Sequence, residues 1–246
     1  VAASTLWPVV SDARAAANLR TVMWRIGNID ADLIRVTGTR LELDRRAAID
    51  LREHERLARR LLNREPLETV AVGLGRRSRD VAEQLSPADF GFAVGRMIRC
   101  LTLDLLVAWY DDWLLLHQER WRQLRLHALD ALSLQLTDAG HHAAAIDAAT
   151  AAVAADQLRE SGYRALIMAH LAEGNVSEVI RTHERYCTLL HDELGIAPSL
   201  QMYDLVSRAT GTASTSGYDG PRRPPPRQPV SPQTEAGPEP TAGYER

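Results

Sequence analysis

Four side chains that can recognise DNA bases recur at helical spacing near the start of the chain. They stand at i, i+4, i+7 and i+11, and they are Arg14, Asn18, Thr21 and Arg25. Arginine and asparagine pair with guanine and adenine edges in the major groove, and threonine contacts a base or a phosphate. An amphipathic helix with a solvated polar face explains the same spacing. The spacing by itself therefore leaves both interpretations open.

The elements around these residues come in the order helix, then hairpin. Residues 13–26 have helical periodicity, and residues 33–43 have the apolar alternation and the Thr-Gly turn of a two-stranded hairpin. Arg35 and Arg40 flank that turn. Residues 13–46 contain seven arginines and four acidic residues, a net charge of +3. This order, with arginines on the hairpin, predicts a winged helix. The apolar stripe of its helix is formed by Ala15, Leu19, Val22 and Ile26.

Residues 124–198 contain the clearest repeat. Gly140 and Gly174 lie 34 residues apart, which is the tetratricopeptide period. The pattern predicts stacked helix–turn–helix units, with both glycines in the left-handed conformation that ends a helix. We expect the apolar faces of these helices to be buried, and their members are Ala128, Leu129, Leu132, Leu136, Leu166, Ile167, Leu171, Val179, Ile180, Tyr186, Leu189 and Leu190.

The segment between these two regions also has helical signals. Residues 50–57 predict a charged amphipathic helix, and Ser86-Pro87 predicts a helix start. Residues 72–78 contain two glycines but lack the spacing and the lysine of a phosphate-binding loop. We interpret them as a loop between helices. The adjacent carboxylates Asp111 and Asp112 point about 100° apart on a helix, so we interpret them as a helix start near the positive dipole end rather than an acid–base pair.

No pattern in the chain predicts catalysis. His183, Cys187 and His191 share a helix face and could ligate zinc, but a fourth ligand is not evident. A buried cysteine with two polar helix positions is the simpler interpretation. No nucleophile, base and orienting group occur together in a known motif. We therefore expect a protein that is not an enzyme, with no metal, nucleotide or other cofactor.

Composition places further bounds on the chain. The 246 residues include 45% hydrophobic residues, carry a net charge of −3 and contain two cysteines. This composition supports a globular core and a reducing, cytoplasmic location without a membrane span or a signal peptide. Arginine is the only basic residue apart from histidine. Eight prolines crowd residues 221–240, so we expect residues 209–246 to form a disordered tail.

Several stretches resemble one protein family. The run from Leu6 to Ile26 is similar to the end of an OmpR-type winged helix, in the version found in the antibiotic regulatory proteins of actinomycetes. Residues 103–113, 155–174 and 192–199 resemble the bacterial transcriptional activator domain of the same family. The resemblance implies a mainly α fold, namely an incomplete winged helix-turn-helix with a β-hairpin wing, a tetratricopeptide-like helical domain and the tail.

The resemblance also implies domain bounds and partners. Residues 1–50 would be the partial DNA-binding domain, residues 51–208 the activator domain, and residues 209–246 the tail. The partners would be double-stranded promoter DNA, bound by a homodimer or in tandem on direct repeats, and RNA polymerase, which the helical domain recruits. The expected DNA contacts are Arg14, Asn18, Thr21 and Arg25 from the helix and Arg35 and Arg40 from the wing. The alternative is an adaptor that binds a protein in its repeat groove and does not bind DNA.

Overall fold

Helices dominate the part of the chain that the structure describes, as the sequence predicts. The computed structural model describes residues 2–74 and 85–211. Within these ranges lie a two-stranded hairpin, β1 (Ile34–Thr37) and β2 (Arg40–Leu43), and ten helices. The helices are α1 (Ala2–Leu6), α2 (Asp12–Ile29), α3 (Asp50–Leu62), α4 (Leu67–Leu74), α5 (Pro87–Thr102), α6 (Asp112–Asp138), α7 (His142–Ala155), α8 (Glu160–Glu173), α9 (Val176–Leu194) and α10 (Leu200–Thr210).

Helix α2 begins directly after Ser11, which is extended, and carries Asp12 in its first turn near the positive end of the helix dipole. The side chain of Ser4 donates a hydrogen bond of 3.2 Å to the carboxylate of Asp12 and so ties α1 to α2. Within residues 2–49, Ala15 is the only fully buried residue. The predicted apolar stripe of α2 is therefore only partly covered.

The hairpin has the predicted strands, with Thr37 opposite Arg40 in the antiparallel register. The two-residue loop is Gly38-Thr39, one position later than the predicted turn. Gly38 has a φ of +60°, which glycine adopts at no steric cost, whereas Thr39 has a negative φ. A positive φ at the first loop residue alone fits a type II′ turn and not a type I′ turn. The register puts Arg35 and Arg40 on one face of the hairpin and the apolar side chains on the other.

The core begins at α3 and runs through the first helical repeat. Leu61 of α3, Met97 of α5 and Leu132 of α6 are all fully buried in one cluster that also includes alanines of α7. Each fully buried aliphatic side chain contributes about 1.5–3 kcal/mol to folding. The predicted start of α5 is confirmed, because the Ser86 hydroxyl accepts a hydrogen bond of 3.2 Å from the backbone N–H of Asp89.

Two helix pairs form the repeat region, α6 with α7 and α8 with α9, and α10 packs after them. Gly140 and Gly174 have φ values of +79° and +83°, as the 34-residue repeat predicts. The hydroxyl of Ser133 donates to the carbonyl of Ala145 at 2.9 Å and joins α6 to α7. In the second unit, Tyr163 stacks on Tyr186 with ring centroids 4.2 Å apart.

The predicted burial of Ile180 is wrong. Ile180 is 41% exposed, although Val179 beside it is fully buried. The buried side of α9 follows Val179, Thr182, Tyr186 and Leu190 at helical spacing. Because successive residues turn by about 100°, Ile180 lies at the edge of that stripe. Ile180 is therefore more exposed than Ile146, the residue 34 positions earlier in the first unit.

The glycine-containing segment also differs from its interpretation as a loop. Residues 72–74 lie in α4, where Val70 and Ala71 are buried in the core. Tertiary packing of this short apolar helix outweighs the weak helix propensity of Gly73. Residues 75–78, and residues 212–246 of the predicted tail, lie outside the described residues. Ala209 and Thr210, the first residues of the predicted tail, lie in α10. No helix in residues 2–74 and 85–211 combines the length and hydropathy needed to span a membrane.

Candidate nucleic-acid interface

The polar face of α2 presents the four predicted base-reading side chains together. At 100° per residue they fall within an arc of about 60°, and 11 residues separate Arg14 from Arg25, which is about 16 Å along the helix axis. Arg14, Thr21 and Arg25 are exposed, whereas Asn18 is half-buried. The Thr21 hydroxyl donates to the carbonyl of Ala17 at 3.1 Å and keeps its acceptor lone pairs free.

Neither Arg14 nor Arg25 forms an ion pair with any residue in the described ranges. Their guanidinium groups therefore carry uncompensated positive charge. An arginine fork can bind two acceptors on a guanine edge or two oxygens of a phosphate. The arrangement can thus engage a strongly anionic surface without first breaking an internal salt bridge.

The opposite side of α2 is apolar and thinly covered. A cavity of about 610 Å³ lies between α1, α2 and the hairpin, and Leu19, Met23, Val36 and Leu41 are among its lining residues. Beside it, Trp24 is 69% exposed. The hairpin contacts α2 mainly through this incompletely filled apolar layer, so the relative position of helix and hairpin depends on few side chains.

The two hairpin arginines differ from those of α2 because each has an acidic neighbour. A guanidinium nitrogen of Arg35 lies 3.9 Å from the carboxylate of Asp44, and that of Arg40 lies 3.1 Å from Glu42. Both arginine side chains are more than 70% exposed. Exposed ion pairs of this kind contribute about 0–1 kcal/mol, so a phosphate can replace the carboxylate at little cost.

Asp44 anchors the base of the hairpin. Hydrogen bonds from the side chain and the backbone N–H of Arg46 hold the pKa of the Asp44 carboxyl below its usual range. Asp44 is therefore ionised at neutral pH and engages Arg46 far more closely than Arg35. Arg45, the neighbour of Arg46, forms no ion pair with the residues that the structure describes.

A second cationic feature lies between the hairpin and α3, and the sequence interpretation missed it. A cleft of about 570 Å³ is lined by Arg40, Arg45 and Arg52, with Glu42 as the one carboxylate. Arg45 lies in a loop and Arg52 in a helix, so no single periodicity connects them. The only signal in the sequence is the local density of arginine after the hairpin.

The loop before α6 forms a separate, apolar surface. Val107 is 69% exposed, Trp109 47% and Tyr110 84%, and Leu115 and Leu116 on α6 are also more than half exposed. Exposed aromatic and aliphatic groups in one patch are typical of protein–protein contact sites.

Helix α6 holds this loop through its backbone. The Gln118 amide donates to the carbonyls of Leu105 at 3.0 Å and Leu106 at 3.2 Å. The indole N–H of Trp121 donates to the carbonyl of Leu103 at 2.8 Å. Arg125, which is buried, binds Asp104. The apolar side chains are therefore presented on a fixed backbone.

The remaining candidates do not form sites. The Sγ of Cys187 lies 3.5 Å from His183 Nε2, but His191 is exposed on the next turn. Burial raises the pKa of the Cys187 thiol and lowers the pKa of His183, so the thiol is protonated at neutral pH. Among the described residues, no three potential ligands converge on a metal position. Asp111 precedes α6 and Asp112 opens it, which confirms their interpretation as a helix start.

Comparison with known proteins bears on the helical repeat region. No curated protein matches the chain. Residues 102–208 match the family model described as the bacterial transcriptional activator domain. The match begins at the exposed apolar loop and runs through α6, α7, α8 and α9 into α10. The repeat region is therefore similar to a domain of bacterial transcription regulators rather than to an enzyme.

Proposed function

We propose that the protein is a DNA-binding transcriptional activator of the antibiotic regulatory protein type. Residues 1–50 are its partial winged helix, residues 51–208 its activator domain and residues 209–246 its tail. It acts in the cytoplasm on double-stranded promoter DNA, as a homodimer or in tandem on direct repeats. The match of residues 102–208 supports a role in transcription regulation.

The observation that carries DNA binding is the polar face of α2. Arg14 and Arg25 are exposed and without ion pairs among the described residues, and Asn18 and Thr21 lie between them on the same face. In this proposal α2 enters the major groove, where these side chains contact bases, and Arg35 and Arg40 of the wing contact the backbone or the minor groove.

The test is a double substitution, Arg14→Ala with Arg25→Ala, in this chain and in its form extended upstream in the same reading frame. A bidentate contact to guanine contributes about 1–3 kcal/mol, so loss of two should weaken specific promoter binding by at least about 30-fold. Binding to a scrambled duplex should change far less. Fluorescence anisotropy measures both affinities.

The matched control removes the same charge elsewhere. Arg120 on α6 and Arg185 on α9 are also exposed and form no ion pair within the described residues. Arg120→Ala with Arg185→Ala should leave the preference for the promoter over the scrambled duplex unchanged. The assignment of α2 fails if both double variants alter this preference equally, or if neither does.

The helical domain recruits RNA polymerase in this proposal, and the apolar loop before α6 supports that part. Trp109→Ser with Tyr110→Ser should reduce binding to purified actinomycete RNA polymerase holoenzyme, measured by biolayer interferometry. The control is Ile196→Ser with Leu200→Ser, since both of these side chains are more than half exposed. Equal polymerase binding by the two variants would contradict this role of the loop.

The same loop favours the alternative, a protein–protein adaptor without DNA binding. The two functions differ in one measurement. An adaptor binds its protein partner through the loop while neither form of the chain prefers any promoter duplex. A regulator shows both activities, and the substitutions on α2 and in the loop then impair them separately.

A further inference from the structure

The cleft between the hairpin and the first turn of α3 concentrates positive charge, and two of its three arginines belong neither to the α2 face nor to the wing. Arg40, Arg45 and Arg52 line it, and its volume is about 570 Å³. Arg45 and Arg52 are exposed and form no ion pair with residues in the described ranges. Two unpaired guanidinium groups therefore border the same concave surface.

The nearby carboxylates do not neutralise this charge. Glu42, the one acidic lining residue, lies 3.1 Å from Arg40. Asp44 is bound by Arg46 at 3.0 Å. The Asp50 carboxylate accepts a hydrogen bond of 2.7 Å from the backbone N–H of Leu51. Glu53 is exposed on α3 and does not line the cleft.

The shape and the donors of the cleft select the class of ligand. Guanidinium groups present planar pairs of N–H donors that match the oxygens of a phosphate, and they bind it bidentately. A cleft with an excess of two such groups over its carboxylates favours a mono- or dianion with several oxygen acceptors. The Arg40 side chain joins this cleft to the wing face, so one anionic strand can contact both.

We propose that this cleft binds a phosphodiester of the DNA backbone through Arg45 and Arg52. The proposal rests on the proposed DNA-binding function and adds two residues to it. The contact fixes the register of the wing on the duplex and carries no sequence information, because backbone contacts position a protein whereas base contacts specify the site.

The test measures how DNA affinity depends on salt. Each phosphate contact adds about 0.9 to the slope of log affinity against log salt concentration. The double variant Arg45→Ala with Arg52→Ala loses one phosphate contact and should lower that slope by about 0.9. Between 50 and 200 mM salt, its affinity should then fall about 3.5-fold less than that of the wild type. The weakening at low salt should be the same on promoter and scrambled duplexes.

The control is again Arg120→Ala with Arg185→Ala, which removes equal charge from distant helices. The inference is overturned if the cleft variant keeps the wild-type slope, if the control lowers the slope equally, or if the cleft variant changes the preference for the promoter. A wild type that binds all duplexes equally contradicts the proposed function. In that case the slope on the scrambled duplex still decides the inference.

Inorganic phosphate distinguishes the DNA backbone from a free anion. At constant ionic strength, exchange of chloride for 10 mM phosphate should leave the wild-type affinity for DNA unchanged, because a single phosphate lacks the adjoining wing contacts. If inorganic phosphate binds the wild type but not the cleft variant by isothermal titration calorimetry, while both bind DNA with the same salt slope, the cleft is a site for free phosphate, and the DNA assignment is wrong.

Discussion

The same substitution at two isoleucines tests the packing of the repeat region. Ile167 on α8 is fully buried, whereas Ile180 on α9 is 41% exposed. Isoleucine to alanine removes three carbons, which corresponds to about 2.4 kcal/mol of transfer free energy at about 0.8 kcal/mol each. A residual cavity adds to this at a buried site, so Ile167→Ala should lower the free energy of unfolding by about 2.5–5 kcal/mol.

Ile180→Ala should cost less than about 1.5 kcal/mol, because its side chain already contacts solvent and leaves no enclosed cavity. Both residues lie inside helices, so the gain in helix propensity on changing to alanine is similar and cancels in the comparison. For a folded unit of about 200 residues, the larger loss corresponds to a fall in Tm of about 5–20 °C.

Urea unfolding, followed by circular dichroism at 222 nm, measures both losses. The midpoint should fall clearly for Ile167→Ala and little for Ile180→Ala, while the slope against urea stays constant. Equal midpoints for the two variants would refute the burial pattern of α9. That result would instead support the burial of Ile180 that the 34-residue repeat predicts.

Three further predictions follow from individual contacts. Gln118→Ala should speed amide hydrogen exchange in residues 103–110 because it removes the donor that holds their carbonyls, while Gln123→Ala should leave that exchange unchanged. Burial raises the pKa of Tyr186 to about 12, so the stability it contributes is complete below about pH 10 and is lost as the pH rises through 12. Absorbance at 295 nm should show this late ionisation, and Tyr186→Phe should remove it. Ser86→Ala removes the cap of α5 and should lower the free energy of unfolding by about 1 kcal/mol in the same urea assay, with no loss contradicting the cap.

Local signals were sufficient for much of the fold. Gly140 and Gly174 adopt the left-handed conformation because a helix must end there and only glycine enters that region without a steric penalty. Ser86 followed by proline caps α5 for an equally local reason. The apolar stripe through Leu132 and Leu136 is buried as predicted, since a long helix with strong periodicity has few alternative ways to pack.

Features that depend on distant parts of the chain were not predictable in this way. Residues 72–74 are helical because α4 buries Val70 and Ala71, and that stabilisation is invisible in local propensity. The exposure of Ile180 depends on which neighbours α9 meets. Trp109 is displayed rather than buried because Gln118, nine residues later, binds the backbone of its loop.

In the candidate interface, too, one feature could be predicted from local spacing and another could not. The spacing of Arg14, Asn18, Thr21 and Arg25 predicts one helix face, and α2 provides that face. Their contact with DNA remains a prediction, as does that of Arg35 and Arg40. The cleft of Arg45 and Arg52 could not be predicted, because it exists only through the position of the hairpin against α3.

A mobility shift on promoter DNA tests the central claim most directly. This chain and its upstream-extended form would be titrated onto duplexes from their own genomic neighbourhood and onto a scrambled duplex, at 50 and 200 mM salt. The account predicts that one promoter duplex is retained at the higher salt after the scrambled duplex is released, because base contacts outlast backbone contacts. Equal release of all duplexes by both forms would contradict DNA recognition and leave the adaptor function in its place.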